Sequence, residues 1–475
     1  MATLPNRSEA DKALLTDWRS RRINSSLKFA ATYPAHDKVP SVLYNVIEDQ
    51  LANGDKEAAI RTAGVLVNRQ PPPEEKLLVY GWSTIANGEF DLGRFKVAEF
   101  GYQQLLQYPS VTAEERKTFQ ERLAASVYKQ GEALQKEGQL AAAAAMFLRV
   151  GQVYPEATIR KNAEFDAATL YLNLEQPGDA VPILEAFRKR YPGDALNETI
   201  PDKLALAYEQ TGNFAAAALE LETIAERYGD SKENRELARQ ALWQAAEMQD
   251  RAKQPQDSIR LYRKYVQTWP QPYDFRAEAQ YRLAGFYETL GNNENRQYWL
   301  NELVKTYNDA GNDGNDRVAW LAAWAAFTLA EPSYDEFASI RLTQPLKRSL
   351  TAKTTAMKTA LGRYEKVAAI GVSEYATAAN YKIGQMYRVL AKDMLESERP
   401  RGLDDLELEQ YDLLLEEQAL PYEDQAIDIL IANTDLVKDN IYDKWVKQSF
   451  AELAQLLPGR YAKSEQVEDY VDIIY

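Results

Sequence analysis

The sequence contains no cysteine and a single histidine, His36. Without thiols there is no disulfide framework, no thiol nucleophile and no Cys/His zinc site, and one imidazole leaves no partner for a histidine pair. Any catalysis would fall to carboxylates, Lys, Ser or Tyr. Long apolar runs are missing as well. The longest nearly uncharged one, Val318 to Ala330, has thirteen residues closed by Arg317 and Glu331. A membrane-spanning helix needs roughly 20, so this run predicts a buried helix. Met1 through Asp11 lacks the apolar stretch of a signal peptide, so the chain is either cytosolic or a mature or truncated piece whose export signal is gone. Positive charge is in deficit, with 56 basic against 71 acidic residues, a net charge of -15 and a pI near 4.9. That balance disfavours the wrapping of nucleic acid, which needs dense Lys and Arg. At 45% apolar and 27% charged the composition is that of a folded protein. Tyrosine is the abundance, at 29 residues against 14 Phe and 8 Trp.

Catalytic signatures are also lacking. There is no G-x-x-x-x-G-K-[ST] phosphate loop, no H-E-x-x-H, no EF-hand loop and no G-x-S-x-G elbow. Asn312-Asp313-Gly314-Asn315-Asp316 lacks the alternating acidic ligands and the bidentate Glu of a calcium loop, and is expected to be a polar interhelical loop. His36 follows Tyr33-Pro34 in a loop and is expected at the surface. The sequence implies no metal and no cofactor, and the chain is read as a non-enzyme. Among so many acids some carboxylate pair always lies at a usable distance, which keeps a carbohydrate-active α/α-barrel enzyme or a glycan binder as the alternative.

What is present is a repeat. An aromatic-proline pair recurs at Tyr33-Pro34, Tyr108-Pro109, Tyr154-Pro155, Tyr191-Pro192 and Trp269-Pro270, with degenerate versions at Gln70-Pro71, Tyr228-Gly229 and Tyr307-Asn308. The intervals run from 37 to 46 residues. Inside each lie two amphipathic helical patterns separated by a turn signal: Asn53-Gly54-Asp55, Asn87-Gly88-Glu89, Glu137-Gly138-Gln139, Gln176-Pro177-Gly178-Asp179, Thr211-Gly212-Asn213, Lys253-Gln254-Pro255 and Leu290-Gly291-Asn292. Gly ends a helix in the left-handed conformation, Pro starts the next one, and the closing Pro pushes the residue before it out of the α region. The unit is a helix hairpin.

Residues inside the unit, such as Leu204, Ala205, Tyr208, Gly212, Phe214, Ala217, Leu221 and Ile224, or Gly131, Leu134, Gly138, Leu140, Ala143, Phe147 and Val150, resemble the tetratricopeptide repeat. The fold class expected is all-α: a right-handed tetratricopeptide-type superhelical solenoid of about eight hairpins over residues 1–330, with a C-terminal helical module over 331–475. A non-repeating α-bundle and an α/α-barrel are the two other arrangements that use helix hairpins. Tyr171, Tyr208 and Tyr287 fall at packing positions and are expected in the core. Residues 8–33 resemble the second helix of a hairpin whose first is missing, so the sequence is expected to be a piece of a longer repeat protein with Met1-Ala2 foreign to it.

After residue 330 the pattern changes. Pro345 to Ile370 predicts an amphipathic helix whose polar face carries Lys347, Arg348, Lys358, Arg363 and Lys366, and a second helix follows from Ser373 to about Glu398. Asp404 to Asp424 holds nine acidic residues and no basic one. Helices are expected from Tyr422 to Val437 and from Ile441 to Leu457, the last closed by Pro458-Gly459. The basic face and the acidic segment pair with each other, stand solvated, or dock a partner.

The Tyr-Pro-ended units resemble those of tetratricopeptide proteins of the Gram-negative cell envelope. Ala419-Leu420-Pro421-Tyr422-Glu423-Asp424-Gln425-Ala426-Ile427, Ile441-Tyr442-Asp443-Lys444-Trp445-Val446-Lys447 and Leu457-Pro458-Gly459-Arg460-Tyr461-Ala462-Lys463 are similar to the end of large tetratricopeptide proteins linked to gliding motility and TonB/ExbB/ExbD-type machinery. The resemblance implies a periplasmic or outer-membrane-associated scaffold or adaptor whose partners are envelope proteins or peptides, with peripheral membrane association through them; a cytoplasmic adaptor is the alternative. The working surface expected is the groove lined by the first helix of each hairpin. Its exposed positions include Tyr128, Lys129, Glu132, Asn162, Asp166, Asn173, Asp202, Glu209, Gln244, Tyr281, Arg282 and Glu288, with Lys129 and Arg282 able to meet carboxylates. Lys358 and Arg363 are the candidate contacts of the C-terminal part.

Overall fold

A computed structural model describes residues 9–462; the Met1-Ala2 start and Lys463 lie outside them. Among the described residues there are twenty-one α-helices, three short 3-10 turns and no strand. The chain packs as two compact units, 1–224 and 225–475.

The first unit holds α1 (Glu9–Thr32), α2 (Val39–Ala52), α3 (Lys56–Val67), α4 (Glu75–Asp91), α5 (Phe95–Leu105), α6 (Ala113–Lys136), α7 (Leu140–Val153), α8 (Arg160–Asn173), α9 (Pro177–Arg190) and α10 (Ile200–Gln210), and most of α11 (Phe214–Tyr228). From α1 to α10, chain neighbours pack on each other, which is the hairpin stack of a tetratricopeptide-type helical solenoid. The aromatic-proline ends behave as the steric argument requires. Tyr154 stands extended at φ -150, ψ 99 and closes α7 one residue before Pro155. Small residues set the helix spacing: a Cβ on Gly131 of α6 would lie 2.6 Å from the Phe147 ring of α7, so only glycine admits that ring.

One expected turn is wrong. Asn87-Gly88-Glu89 lies inside α4, where Gly88 faces Ile60 and a Cβ would sit 2.8 Å from its side chain. The turn glycine is Gly93, with φ +76. The letter is the same, but the requirement at 88 is close approach and at 93 backbone conformation. In Gln176 to Asp179 the positive φ belongs to Glu175, at 56, and Gly178 is already inside α9, which begins at Pro177.

The second unit holds α12 (Arg235–Arg251), α13 (Pro255–Thr268), α14 (Tyr273–Thr289), α15 (Asn293–Ala310), α16 (Asp316–Ser339), α17 (Leu346–Ala369), α18 (Ser373–Leu395), α19 (Asp405–Asp435), α20 (Lys444–Leu456) and α21 (Pro458–Tyr461). Hairpins continue through it, and first helices also touch: α14 meets α16, α16 meets α18, and α18 meets α20. Residue 330, where the sequence pattern changes, lies within α16.

Prolines mislead here. The buried Val318–Ala330 helix extends through Pro332 to Ser339, and the acidic segment is no separate piece: α19 is one 31-residue helix running through Pro421. Asp404 starts it with a reciprocal capping box to Glu407. An interior proline costs about 3 kcal/mol, and the burial of Leu415, Ala419, Ala426 and Leu430 along the same face offsets it. α20 begins at Lys444 rather than Ile441, because Asp443 caps it by accepting from the Trp445 and Val446 amides, both at 2.9 Å. Pro458 closes α20, whose last helical residue is Leu456, and also opens the short α21, as its missing N–H allows at a first helical position.

The C-terminal hairpins also bury polar groups. Lys353 of α17 is fully buried, and its ammonium donates to Ile340 O at 2.8 Å, to Phe337 O at 3.2 Å, and pairs with Asp393 at 2.5 Å. All three donors are used; Ile340 O lies past the end of α16, where no helical N–H reaches, while Phe337 O also accepts from the Ile340 amide at 3.3 Å. Asn433 of α19 donates to Thr377 O of α18 at 3.1 Å and to Ser449 Oγ of α20 at 3.0 Å.

Candidate partner-binding surface

In the first unit, α6 and α8 present neighbouring faces. The Tyr128 hydroxyl donates to Asp166 Oδ2 at 2.7 Å, joining two of the expected positions. Burial pushes the Asp166 carboxyl up from its ordinary value, and the bond from Tyr128 works the other way. Lys129 is paired with Glu132 at 2.6 Å. Asn162 and Asn173 are exposed on α8, and Glu209 is half-buried on α10. This stretch therefore presents amides and a carboxylate, and its lysine arrives already matched to an acid of the same chain.

In the second unit α12, α13 and α14 carry a denser arrangement around Arg282. Its Nη1 donates to the Tyr262 hydroxyl at 2.7 Å, and Asp250, Glu247 and Glu278 lie 3.4, 3.3 and 3.7 Å from its nitrogens. The guanidinium sits 5.5 Å from the centres of both the Trp243 and Tyr262 rings. Burial alone would lower its pKa, but Tyr262, Glu247 and Glu278 outweigh burial and raise it. Arg282 is thus a keystone between two hairpins, with three acids already around it. Glu288 is exposed at the end of α14 and pairs with Arg296 at 2.8 Å.

Tyr281 leads to residues that sequence reasoning missed. Its ring meets Trp324 edge-on at 4.8 Å, and Arg317 stacks over both Tyr281 and Trp320, at 5.6 and 5.1 Å. Trp320 reaches Tyr375 of α18 at 5.7 Å and donates its indole N–H to Glu374 at 3.3 Å. Arg317 is pinned by Glu278 at 2.9 Å. Tyr281, Trp320, Trp324 and Tyr375 are all half-buried, so each keeps part of its surface exposed. Trp320, Trp324 and Phe327 at i, i+4 and i+7 were the available signal, hidden in a run taken as simply buried. Lys358 and Arg363 are exposed on α17, away from this row, and Arg363 donates to Leu329 O at 3.0 Å.

His36 is exposed and its Nδ1 accepts from the Lys38 amide at 3.1 Å. Tyr208 and Tyr287 are buried, and Tyr171 packs against the α6–α8 core. Among the described residues no helix is long and apolar enough to cross a membrane, and no cluster of His, Asp and Glu is arranged to hold a metal.

The tetratricopeptide repeat family model matches residues 125–157 and 240–272. These are the second half of α6 with α7, and α12 with α13. No curated protein matches the chain. Among solved structures it is similar to Naa15/Naa10 bound to HypK-THB, at 15% identity and a TM-score of 0.28, over 94% of this chain and 64% of that one. It is also similar to the P58(IPK) TPR domain, at 15% identity and a TM-score of 0.24, over 87% and 96%. The chain thus spans under two thirds of the first of these, and at such TM-scores the fold rests on the hairpins and the two repeat matches. Tetratricopeptide repeats are present in this chain, and repeats of this type mediate protein–protein interactions.

Proposed function

We propose that the protein is a non-enzymatic scaffold that holds segments of partner proteins against the first helices of its hairpins. The observation that carries this is the half-open aromatic row Tyr281, Trp324, Trp320 and Tyr375 over α14, α16 and α18. Rings of this kind offer large, stiff, amphipathic contact area, and interface anchors are enriched in them. Glu278 and Glu374 beside the row are already engaged by Arg317 and the Trp320 indole, which leaves the rings as the contact surface and suits a partner segment with aliphatic side chains.

For the setting, the C-terminal resemblance supports the cell envelope, on the periplasmic side, with TonB/ExbB/ExbD-type or motility machinery as the system served. The division into a repeat solenoid and a C-terminal module of different charge character belongs to the same reading. A photo-crosslinking residue placed at 324 in the full-length protein, expressed in its native host, should give discrete adducts with envelope proteins, and Trp320→Ala should remove them. Adducts with cytosolic proteins only would overturn the setting and leave the scaffold. Saturable binding or turnover in a panel of glycans and peptidoglycan fragments, without protein adducts, would overturn the scaffold.

A further inference from the structure

A cavity of about 890 Å³ lies in the second unit between the second helices α15 and α17, with α16 as its floor. Its origin is legible in the backbone. Pro332 has no N–H to return to the Thr328 carbonyl, and its ring crowds that turn of α16. Arg363 of α17 reaches over and takes the next carbonyl, Leu329 O, at 3.0 Å. Thr328, Leu329 and Pro332 all face the cavity, and Ala326, Ala330 and Ala369 leave it unfilled.

The lining has a definite chemistry. It contains no acidic residue, although the chain carries a charge of -15. Arg363 uses part of its fork on Leu329 O, and Lys366, exposed one turn on, forms no ion pair among the described residues. Arg296 lines the same wall as Leu300 and Val304, with its charge shared with Glu288 at 2.8 Å. The other edge is a ladder of carboxamides on α15: Asn293, Gln297, Asn301 and Asn308. From Asn293 through Gln297 to Asn301 the steps are four residues, about 6 Å on a helix and close to the roughly 6.7 Å between alternate residues of an extended chain, and Asn308 follows seven residues on. From Asn293 to Asn308 the ladder covers about 22 Å, the reach of about six or seven extended residues. Each carboxamide both donates and accepts, as a peptide backbone does; Asn301 spends its N–H on Gln297 O at 2.8 Å and keeps its oxygen.

We propose that this groove binds an extended, acidic segment of a partner protein, with its backbone along the α15 carboxamides, its apolar side chains on Val304, Leu329 and Pro332, and its carboxylates on Arg363 and Lys366. The length and the apolar floor favour a peptide over a compact anion. The site is separate from the aromatic row, so each can fail without the other.

The test uses the full chain and a fluorescein-labelled peptide alternating Glu and Val over six residues, read by anisotropy at low and high salt. Saturable, salt-sensitive binding is expected, at least tenfold weaker in Arg363→Gln/Lys366→Gln and severalfold weaker in Gln297→Ala, while the matching Lys/Val peptide does not bind. Lys366→Gln and Gln297→Ala alter exposed side chains only, so they report on the groove even where Arg363→Gln disturbs α16. Absence of binding, equal binding of the Lys/Val peptide, binding indifferent to all these variants, or full competition by inorganic phosphate at equal concentration would each overturn the proposal.

Discussion

The hairpins of the first unit and those after residue 316 solve one packing problem by different means. In α4 to α9 the helices are drawn together by missing side chains, Gly131 admitting Phe147 and Gly101 admitting Ala86, and the buried carboxylates there, Glu99 and Glu164, pair with partly exposed arginines, Arg149 and Arg190. In α16 to α20 they are tied by buried polar links, Lys353 to α16 and Asp393, and Asn433 to α18 and α20. Packing by shape is repeatable, because any hairpin with small residues at the right places can use it. Packing by specific polar pairs fixes one neighbour and one register. A repeat family model that matches within α6/α7 and α12/α13 is recognising the first kind.

The comparison breaks most severely at its two anchors. Phe147→Ala removes a buried ring and should cost about 4 kcal/mol. Lys353→Ala strands Asp393 and the Ile340 carbonyl and should also cost about 4 kcal/mol. Lys353→Met should recover part of that, as a buried charge replaced by an apolar chain of similar volume. Hydrogen exchange of α6/α7 and of α16/α17 measures both, and a Lys353→Met variant as unstable as Lys353→Ala would mean the ion pair is more than a satisfied burial. Next, Asn433→Ala should cost about 2 kcal/mol by removing two hydrogen bonds that cross between helices, although Ser449 keeps its bond to Trp445 O. A protection change confined to one of α18, α19 and α20 would show that it does not tie three helices. Gly131→Ala should cost about 1 kcal/mol, overpacking against Phe147 less the helix propensity gained, and Phe147→Leu in the same chain should cancel it.

The smallest effect concerns α12, which combines a matched repeat with a polar link of its own. Hydrogen bonds from Arg239 and then Gln240 hold the Glu236 carboxyl down at about 2, against an ordinary 4.5. The carboxylate therefore adds stability that is fully present above pH 4.5 and is lost as pH falls through about 2. Glu236 is largely exposed, so the gain is at most about 0.5 kcal/mol. Urea melts of wild type and Glu236→Gln should differ slightly at pH 6 and converge by pH 2; a difference that grows on acidification would reverse the sign.

The same contrast explains what the sequence made legible. Tyr154-Pro155 and Gly138 act through local backbone geometry, so their meaning travels with the letters. Gly88 misled because a glycine chosen for a neighbour, Ile60, carries the same letter as one chosen for its φ. Pro332 and Pro421 misled because tertiary burial on either side outweighs a local break. Lys353 and Asp393 stand forty residues apart and nothing in either position announces the other. At the site, Arg282 and Tyr281 were read as exposed first-helix positions, and the structure half-buries both. The acids that occupy Arg282, and the Trp320–Trp324 row beside Tyr281, depend on which helices meet.

The burial of Lys353 also bears on mechanics. A stack held by shape alone has similar seams throughout, and under tension along the chain it yields one hairpin at a time. Where an ammonium grips the end of one helix and a carboxylate on another, neither hairpin detaches without exposing a charge that had been matched, so α16 to α18 should yield as one block. Such a block gives the chain a stiff segment beside a compliant one, a grading of resistance to pull that a uniform array of repeats does not have.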